Sequence, residues 1–322
     1  MRVVLLIAGF FLAAAAPVEP AVLAHLRDLD SRLAGVMQRL TVANAPLCRD
    51  RSPATGLLLH AIDQYPADSV GTVRAVFGFA APVSVEAVVP GSPAARAGVR
   101  ANDGVLAING VAAPTPGADQ TSATRDRVQA MLAALPPTAP LRLDLMRGDR
   151  RLTVTIAPVA GCRTAYEVLG GEKLVARSDG RTIQISAPFF ARFSDEEIAV
   201  TAGHELAHTI LRHRVRLEAA GATWGWRKHF GRSAALFRTT EDEADLLGAF
   251  LLRNAGWDAQ AAVRFWRGQG DRIDGGIFRS GTHAAAAERA RLIERGLAAM
   301  PADAPRPWAP PELLAQRDRP LG

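Results

Sequence analysis

His204-Glu205-Leu206-Ala207-His208 sets two imidazoles four positions apart with a carboxylate between them. The flanks Val200-Thr201-Ala202-Gly203 and Thr209-Ile210-Leu211 are small or apolar, so the segment reads as a buried helix. On a helix, residues i and i+4 share a face. Both imidazoles can then reach one ion, and zinc in hydrolases commonly takes three protein ligands and keeps one position for water. Glu205 is the candidate base for the proton of that water.

A third ligand is needed, and Glu241-Asp242-Glu243-Ala244-Asp245 supplies candidates inside a helix expected from Thr240 to Asn254. A helix start would by itself attract acidic residues through the dipole. The apolar Leu246, Leu247, Ala249 and Phe250 nevertheless carry the same helix into a core, which favours ligation. Glu241 and Asp245 are again four apart, so one can supply a zinc oxygen while the other accepts the spare imidazole hydrogen of a liganding histidine. Glu243 stands as the alternative ligand. The helix carrying the imidazoles is expected to open at Ser194 as N-cap, with Asp195, Glu196 and Glu197 in its first turn. The histidines His25, His60, His213 and His229 lack comparable spacing and read as surface or packing residues.

The chain has 322 residues, 48% of them hydrophobic and 22% charged, enough for two domains with cores. Its net charge of +6 comes from scattered basic residues that do not alternate with aromatics, so a nucleic-acid partner is not expected. Arg2, the apolar run Val3 to Ala16 and then Pro17 have the layout of a signal peptide. That run is shorter than the ~20 residues a spanning helix needs. The expected location is therefore exported, periplasmic or secreted, with an uncleaved N-terminal membrane anchor as the alternative. In such an oxidising compartment the two cysteines, Cys48 and Cys162, are expected to form one disulfide. Trp224, Trp226 and Phe230 lie in a basic stretch and are read first as ordinary core residues, with a substrate lip or peripheral membrane contact as the alternative.

Between Asp68 and Pro158 the texture becomes β-like. Val83 to Val89, Val105 to Ile108, Leu141 to Met146 and Leu152 to Ile156 are strand candidates, with a helix from Thr124 to Leu135. The run from Val85 to Val99, with Pro90-Gly91-Ser92-Pro93-Ala94-Ala95-Arg96-Ala97-Gly98 at its centre, and Asn102-Asp103-Gly104-Val105-Leu106-Ala107-Ile108-Asn109-Gly110 together resemble bacterial PDZ modules. The resemblance implies capture of a peptide tail by strand addition. Phe77-Gly78-Phe79-Ala80 looks like the loop that would bind the tail's carboxylate.

The two metal motifs, the strand Asp179-Gly180-Arg181-Thr182-Ile183-Gln184-Ile185-Ser186 and Thr282-His283 with Arg289 beyond resemble the HtpX-like, CAAX-prenyl-protease-related zinc metallopeptidases, peptidase family 48. Ala284 stands where that family usually has Pro. The resemblance implies one Zn2+ per chain on His204, His208 and Glu241, with Glu205 as base and Asp245 behind the ligands. His283 would stabilise the oxyanion or latch the metal, and Arg289 would orient that neighbourhood through a carboxylate.

The expected fold is α+β, a mainly helical zincin protease domain interrupted by a mostly-β PDZ domain. Its expected parts are a signal peptide (1–21), an N-terminal helical segment of the protease (22–66), the PDZ domain (67–160), the zinc protease domain (161–300) and a Pro-rich tail (301–322). The expected function is endoproteolysis of unfolded or extended polypeptides among exported or misfolded proteins, the PDZ module recruiting or gating substrate. The alternative is a PDZ-bearing adaptor or holdase whose zinc site is structural or dormant.

Overall fold

The computed structural model describes residues 18–117, 119–225, 231–273 and 285–321. Nearly all of the expected leader, His283, Trp226 and Phe230 lie outside the described residues.

Helix α1 (Pro20–Ala43) opens with proline in its first turn, where a missing N–H costs little. Its apolar residues recur every three to four positions, and Leu29, Leu33, Val36, Met37 and Leu40 enter the main core. Leu23, at the start of the same helix, instead packs with Val73, Phe77 and Phe79 in a separate cluster. One helix thus belongs to two units. Leu33 is fully buried, so Leu33→Ala would cost about 2–5 kcal/mol.

From α1 the chain leaves the body through β1 (Arg51–Ala54) and builds a module of β2 (Leu57–Ala61), α2 (Val70–Phe77), β3 (Val83–Val88), α3 (Pro93–Arg96), β4 (Gly104–Ile108), β5 (Val111–Ala112), α4 (Ala123–Ala133), β6 (Leu141–Arg147) and β7 (Arg150–Ile156). The sheet runs β2-β3-β4-β6-β7, with β5 on β4, and its pairs are antiparallel. Alternation along β6 sends Leu141, Leu143 and Leu145 into the module's core beside Val128 of α4. Gly148-Asp149 joins β6 to β7, and Gly148 takes φ 61 there, as a two-residue hairpin requires.

The sheet begins earlier than the expected boundary at residue 67. Its edge strand β2 lies within the span assigned to the helical segment, because Leu57-Leu58-Leu59 shows no alternation and its partner β3 comes only after α2.

The chain returns through β8 (Val159–Cys162), which pairs antiparallel with β1 and sets Arg51 opposite Cys162. Cys48 and Cys162 form a disulfide across the root of this ribbon, closing a separation of 114 residues. Two contacts dock the module on the body, and a third ties α1 to the strand that carries the second. Arg27 of α1 donates to Asn102 Oδ1 at 2.8 Å, Arg125 of α4 pairs with Glu167 at 2.8 Å, and Asp30 of α1 accepts from the Val168 amide at 3.1 Å.

Glu167 and Val168 lie on β9 (Ala165–Leu169), which forms a three-stranded sheet with β10 (Ala176–Ser178) and β11 (Thr182–Ser186) in the order β10-β11-β9. Helices α5 (Ala187–Arg192), α6 (Asp195–Ile210), α7 (His213–Ala219), α8 (Gly231–Asn254), α9 (Gln260–Ile273), α10 (Ala286–Ala298) and α11 (Pro311–Gln316) complete the body. The expected Pro-rich tail is packed rather than loose. Asn254 donates to the Trp308 carbonyl, and Arg317 donates to that of Leu47. The whole is an α+β chain in which the β-rich module projects from a mainly helical body.

Candidate metal centre

Helix α6 starts in a capping box. Ser194 Oγ accepts from the Glu197 amide, and the Glu197 carboxylate accepts from the Ser194 amide. Three acidic residues fill its first turn, where the dipole favours them. From Ile198 to Ala207 every residue is buried, so His204 and Glu205 sit in the core at 5% exposure each.

Helix α8 crosses α6 at two glycines. A Cβ on Gly248 would lie 3.1 Å from the His204 amide nitrogen, and one on Gly203 would lie 2.7 Å from Leu252 Cδ1. Backbone meets backbone there, bringing the two sets of polar side chains within reach. Because α8 begins at Gly231 rather than at Thr240, Glu241 occupies the helix interior. A first-turn dipole preference does not account for a carboxylate at that place.

His204 Nε2 and His208 Nε2 are 3.1 Å apart, and Glu241 Oε2 lies 3.2 Å from the first and 3.6 Å from the second. A tetrahedral ion with bonds of about 2.0–2.1 Å separates its ligands by about 3.3–3.4 Å, so this triangle has the dimensions of one face of a zinc polyhedron. The electrostatics agree with that fit. Burial works against charge on His204, but the hydrogen bonds its ring donates to Asp245 and Glu241 outweigh it and push its pKa up to about 10. Positive charge is favoured where the three donors converge.

His204 Nδ1 bonds Asp245 Oδ1 at 2.9 Å, and Asp245 receives both Nε and Nη2 of Arg289. Burial alone would raise the Asp245 carboxyl. The Arg289 charge and the hydrogen bonds from His204 and Arg289 outweigh burial and hold it below the usual carboxylate range. Arg289, from α10, lies with its guanidinium 3.3 Å from the Trp266 ring centroid. Packing on that ring fixes the planar fork that grips Asp245.

Two residues stand just behind the triangle, and one of them, His213, departs from expectation. Glu243, the alternative ligand, does not join the triangle; it accepts from His213 Nε2 at 2.9 Å and from Arg216. His213 is not a mere packing residue, because its Nδ1 lies 2.7 Å from His208 Nδ1. Burial and the neighbouring His208 and Arg216 pull the His213 imidazole down to about 4 despite the hydrogen bond to Glu243, so it is neutral at physiological pH.

Sequence spacing does not reveal this contact. Helix α6 ends at Ile210, and Arg212 at φ 55 turns the chain so that His213 doubles back on His208. A five-residue offset has no fixed meaning without that turn.

Phe77 and Phe79, expected at a peptide-binding loop, are 1% and 3% exposed. With Gly78 between them, they pack against His60, Tyr65 and α1 instead of lining an open groove. Gly78, at φ 74, is the turn residue that ends α2 and permits this folding back. Trp224 is 47% exposed and stacks edge-on against Phe237.

Comparison with known proteins identifies the module. Residues 84–140 match the PDZ domain family model, so the chain carries a PDZ domain. Over 74 residues the chain is 42% identical to HhoA of Synechocystis sp., a protein named as a serine protease. That match takes in 23% of this chain and 16% of HhoA, so the chain spans a small part of that relative's length. The crystal structure of the HtrA3 PDZ domain bound to a phage-derived ligand (FGRWV) aligns with 22% identity and a TM-score of 0.26. The alignment covers 34% of this chain and 88% of that one.

Proposed function

We propose that this chain is a zinc-dependent endopeptidase, of the HtpX-like kind, that cuts unfolded or extended polypeptides and uses its PDZ domain to recruit or gate them. The triangle of His204, His208 and Glu241 donors carries the reading, since its edges suit zinc and Glu205 is buried beside it on α6. Those three residues would hold Zn2+, which when bound polarises a carbonyl and acidifies a water. Glu205 takes the proton of the attacking water and passes it to the leaving amine. Asp245 and Arg289 keep the His204 ring oriented.

An extended substrate fits the edge of β10, one of the two outer strands of its sheet among the described residues and the one in contact with α6. Ser178 at the end of β10 lies 3.4 Å from Thr209, the residue after His208. A chain added there would run past the three donors. The Cys48–Cys162 disulfide supports an exported, oxidising location.

Hydrolysis of an unfolded protein, removed by chelator and restored by Zn2+, is the expected activity. Glu205→Gln should abolish it while metal content is unchanged. Two other readings have their own outcomes. The name of the HhoA relative suggests serine protease activity, which would resist chelators and yield to serine-directed reagents. An adaptor or holdase would bind unfolded chains through its PDZ domain and cleave none of them.

A further inference from the structure

His204 and His208 face the same point, yet they are backed differently. Behind His204 stand a carboxylate and an arginine, Asp245 and Arg289. Behind His208 stands a second imidazole, His213, and only then a carboxylate and an arginine, Glu243 and Arg216. These three are 2%, 8% and 5% exposed, so each polar atom must be satisfied within the protein.

The hydrogen-bonding capacities fix the protons one at a time. The Glu243 carboxylate takes two bonds from the Arg216 guanidinium and is an acceptor only, so His213 Nε2 must carry the proton that meets it. The Glu243 charge is already matched by Arg216, so a cationic His213 would be an unpaired buried charge, and the neutral ring has a bare lone pair on Nδ1. His208 Nδ1, 2.7 Å away, must be the donor to that lone pair. His208 Nε2 is thereby left with its lone pair directed at His204 and Glu241. The opposite tautomer of His213 would set a lone pair against the Glu243 carboxylate.

We propose that His213, Glu243 and Arg216 form a positioning relay that fixes His208 in the only neutral tautomer able to ligate a metal through Nε2. The inference rests on the metal-binding reading of the site. The relay is strapped from outside. Arg216 Nε donates to the Arg319 carbonyl at 3.2 Å, and Asp318 pairs with Arg212, the turn residue before His213, and with Arg49, beside Cys48. The segment Asp318–Arg319 therefore holds α7 where His213 can reach His208.

Long-range 1H–15N NMR of the zinc-loaded wild-type protein reads the tautomers directly. The expected result is a proton on Nε2 of His213 and on Nδ1 of His208; a proton on Nδ1 of His213, or an imidazolium at neutral pH, overturns the relay. Chelator competition gives the second readout. His213→Leu should weaken Zn2+ binding about 10- to 100-fold, as for other groups that orient a liganding histidine. His213→Gln, whose amide can both accept from His208 and donate to Glu243, should recover part of that loss. Unfolding of the metal-free proteins, followed in parallel, separates a change in affinity from a change in fold. Wild-type affinity in folded His213→Leu refutes the relay, whereas a wild-type protein that takes up no Zn2+ refutes the metal reading beneath it.

Discussion

Gly248→Ala tests whether the crossing of α6 and α8 sets the metal triangle. The new Cβ would stand 3.1 Å from the His204 amide nitrogen, 3.2 Å from its Cα and 3.3 Å from the Gly203 carbonyl carbon. Carbon contacts relax at about 3.5–4.0 Å, so the helices must part by about half an ångström. Backbone atoms cannot rotate away. Alanine gains about 1 kcal/mol of helix propensity over glycine, while overpacking costs about 1–3 kcal/mol. The net loss of stability is then about 0–2 kcal/mol, a few degrees in Tm at most for a chain of this size.

The larger effect falls on the metal. His204 lies on one helix and Glu241 on the other, and their 3.2 Å separation would open towards 3.7 Å, beyond the edge of a zinc tetrahedron at about 3.3–3.4 Å. Zinc affinity should fall about tenfold or more, which is the lower end of what disturbing a ligand's support costs. Gly203→Ala is the control. Its Cβ would come closer, 2.7 Å, but to the Leu252 Cδ1 methyl at the end of a side chain, and its nearest backbone neighbour, the Gly248 carbonyl oxygen, would stand 3.3 Å away. Its loss of affinity should be the smaller of the two. Chelator competition alongside thermal melting of the metal-free proteins gives both numbers. Wild-type zinc affinity in Gly248→Ala, or a worse result for Gly203→Ala, would falsify the argument from helix approach.

Arg289→Ala removes the cation from the buried Asp245 carboxylate and should weaken zinc binding about 10- to 100-fold; unchanged affinity would mean that Arg289 only packs on Trp266. The double substitution of Cys48 and Cys162 by serine should lower unfolding stability by up to about 4–5 kcal/mol in the chain-entropy model, and a denaturant midpoint equal to wild type would show that the ribbon needs no staple. Where the module meets α1, burial pushes Asp30 up to about 6, opposed by the Val168 amide hydrogen bond and Arg125 and aided by Glu167, and pushes Glu86 up to about 8, aided by Asp30 and opposed by Arg27 and Arg125. Carboxyls with raised folded pKa values bind more protons folded than unfolded, so stability should fall as pH climbs from about 4 to about 8. Glu86→Gln should flatten that slope in denaturant midpoints taken at pH 5 and pH 8.5, and an unaltered slope would place the pH dependence elsewhere.

Local periodicity made much of this chain readable. The stripe of α1, the strands β3, β4, β6 and β7, the N-cap at Ser194 and the i,i+4 pairs His204/His208 and Glu241/Asp245 all rest on spacings of two to four residues. Such spacings fix which side chains share a face before any packing occurs. The PDZ match lies in a contiguous run, 84–140, whose turn glycines and strand alternation are likewise local.

Other features depended on where separate elements came to rest. β2 joined the module because its partner β3 supplies the hydrogen bonds, and nothing within Leu57–Ala61 announces that partner. Phe77 and Phe79 had the look of a binding loop until α1 covered them. His213 reached His208 through a left-handed turn at Arg212, and Glu243 turned to His213 and Arg216 rather than to the triangle. Asp318 and Arg319 come back across the body to Arg49, Arg212 and Arg216. A helix face is set by bond geometry within one turn, whereas these contacts join residues on different elements, most of them tens to hundreds of positions apart. Their partners were chosen only when the core closed and each buried polar group had to find one.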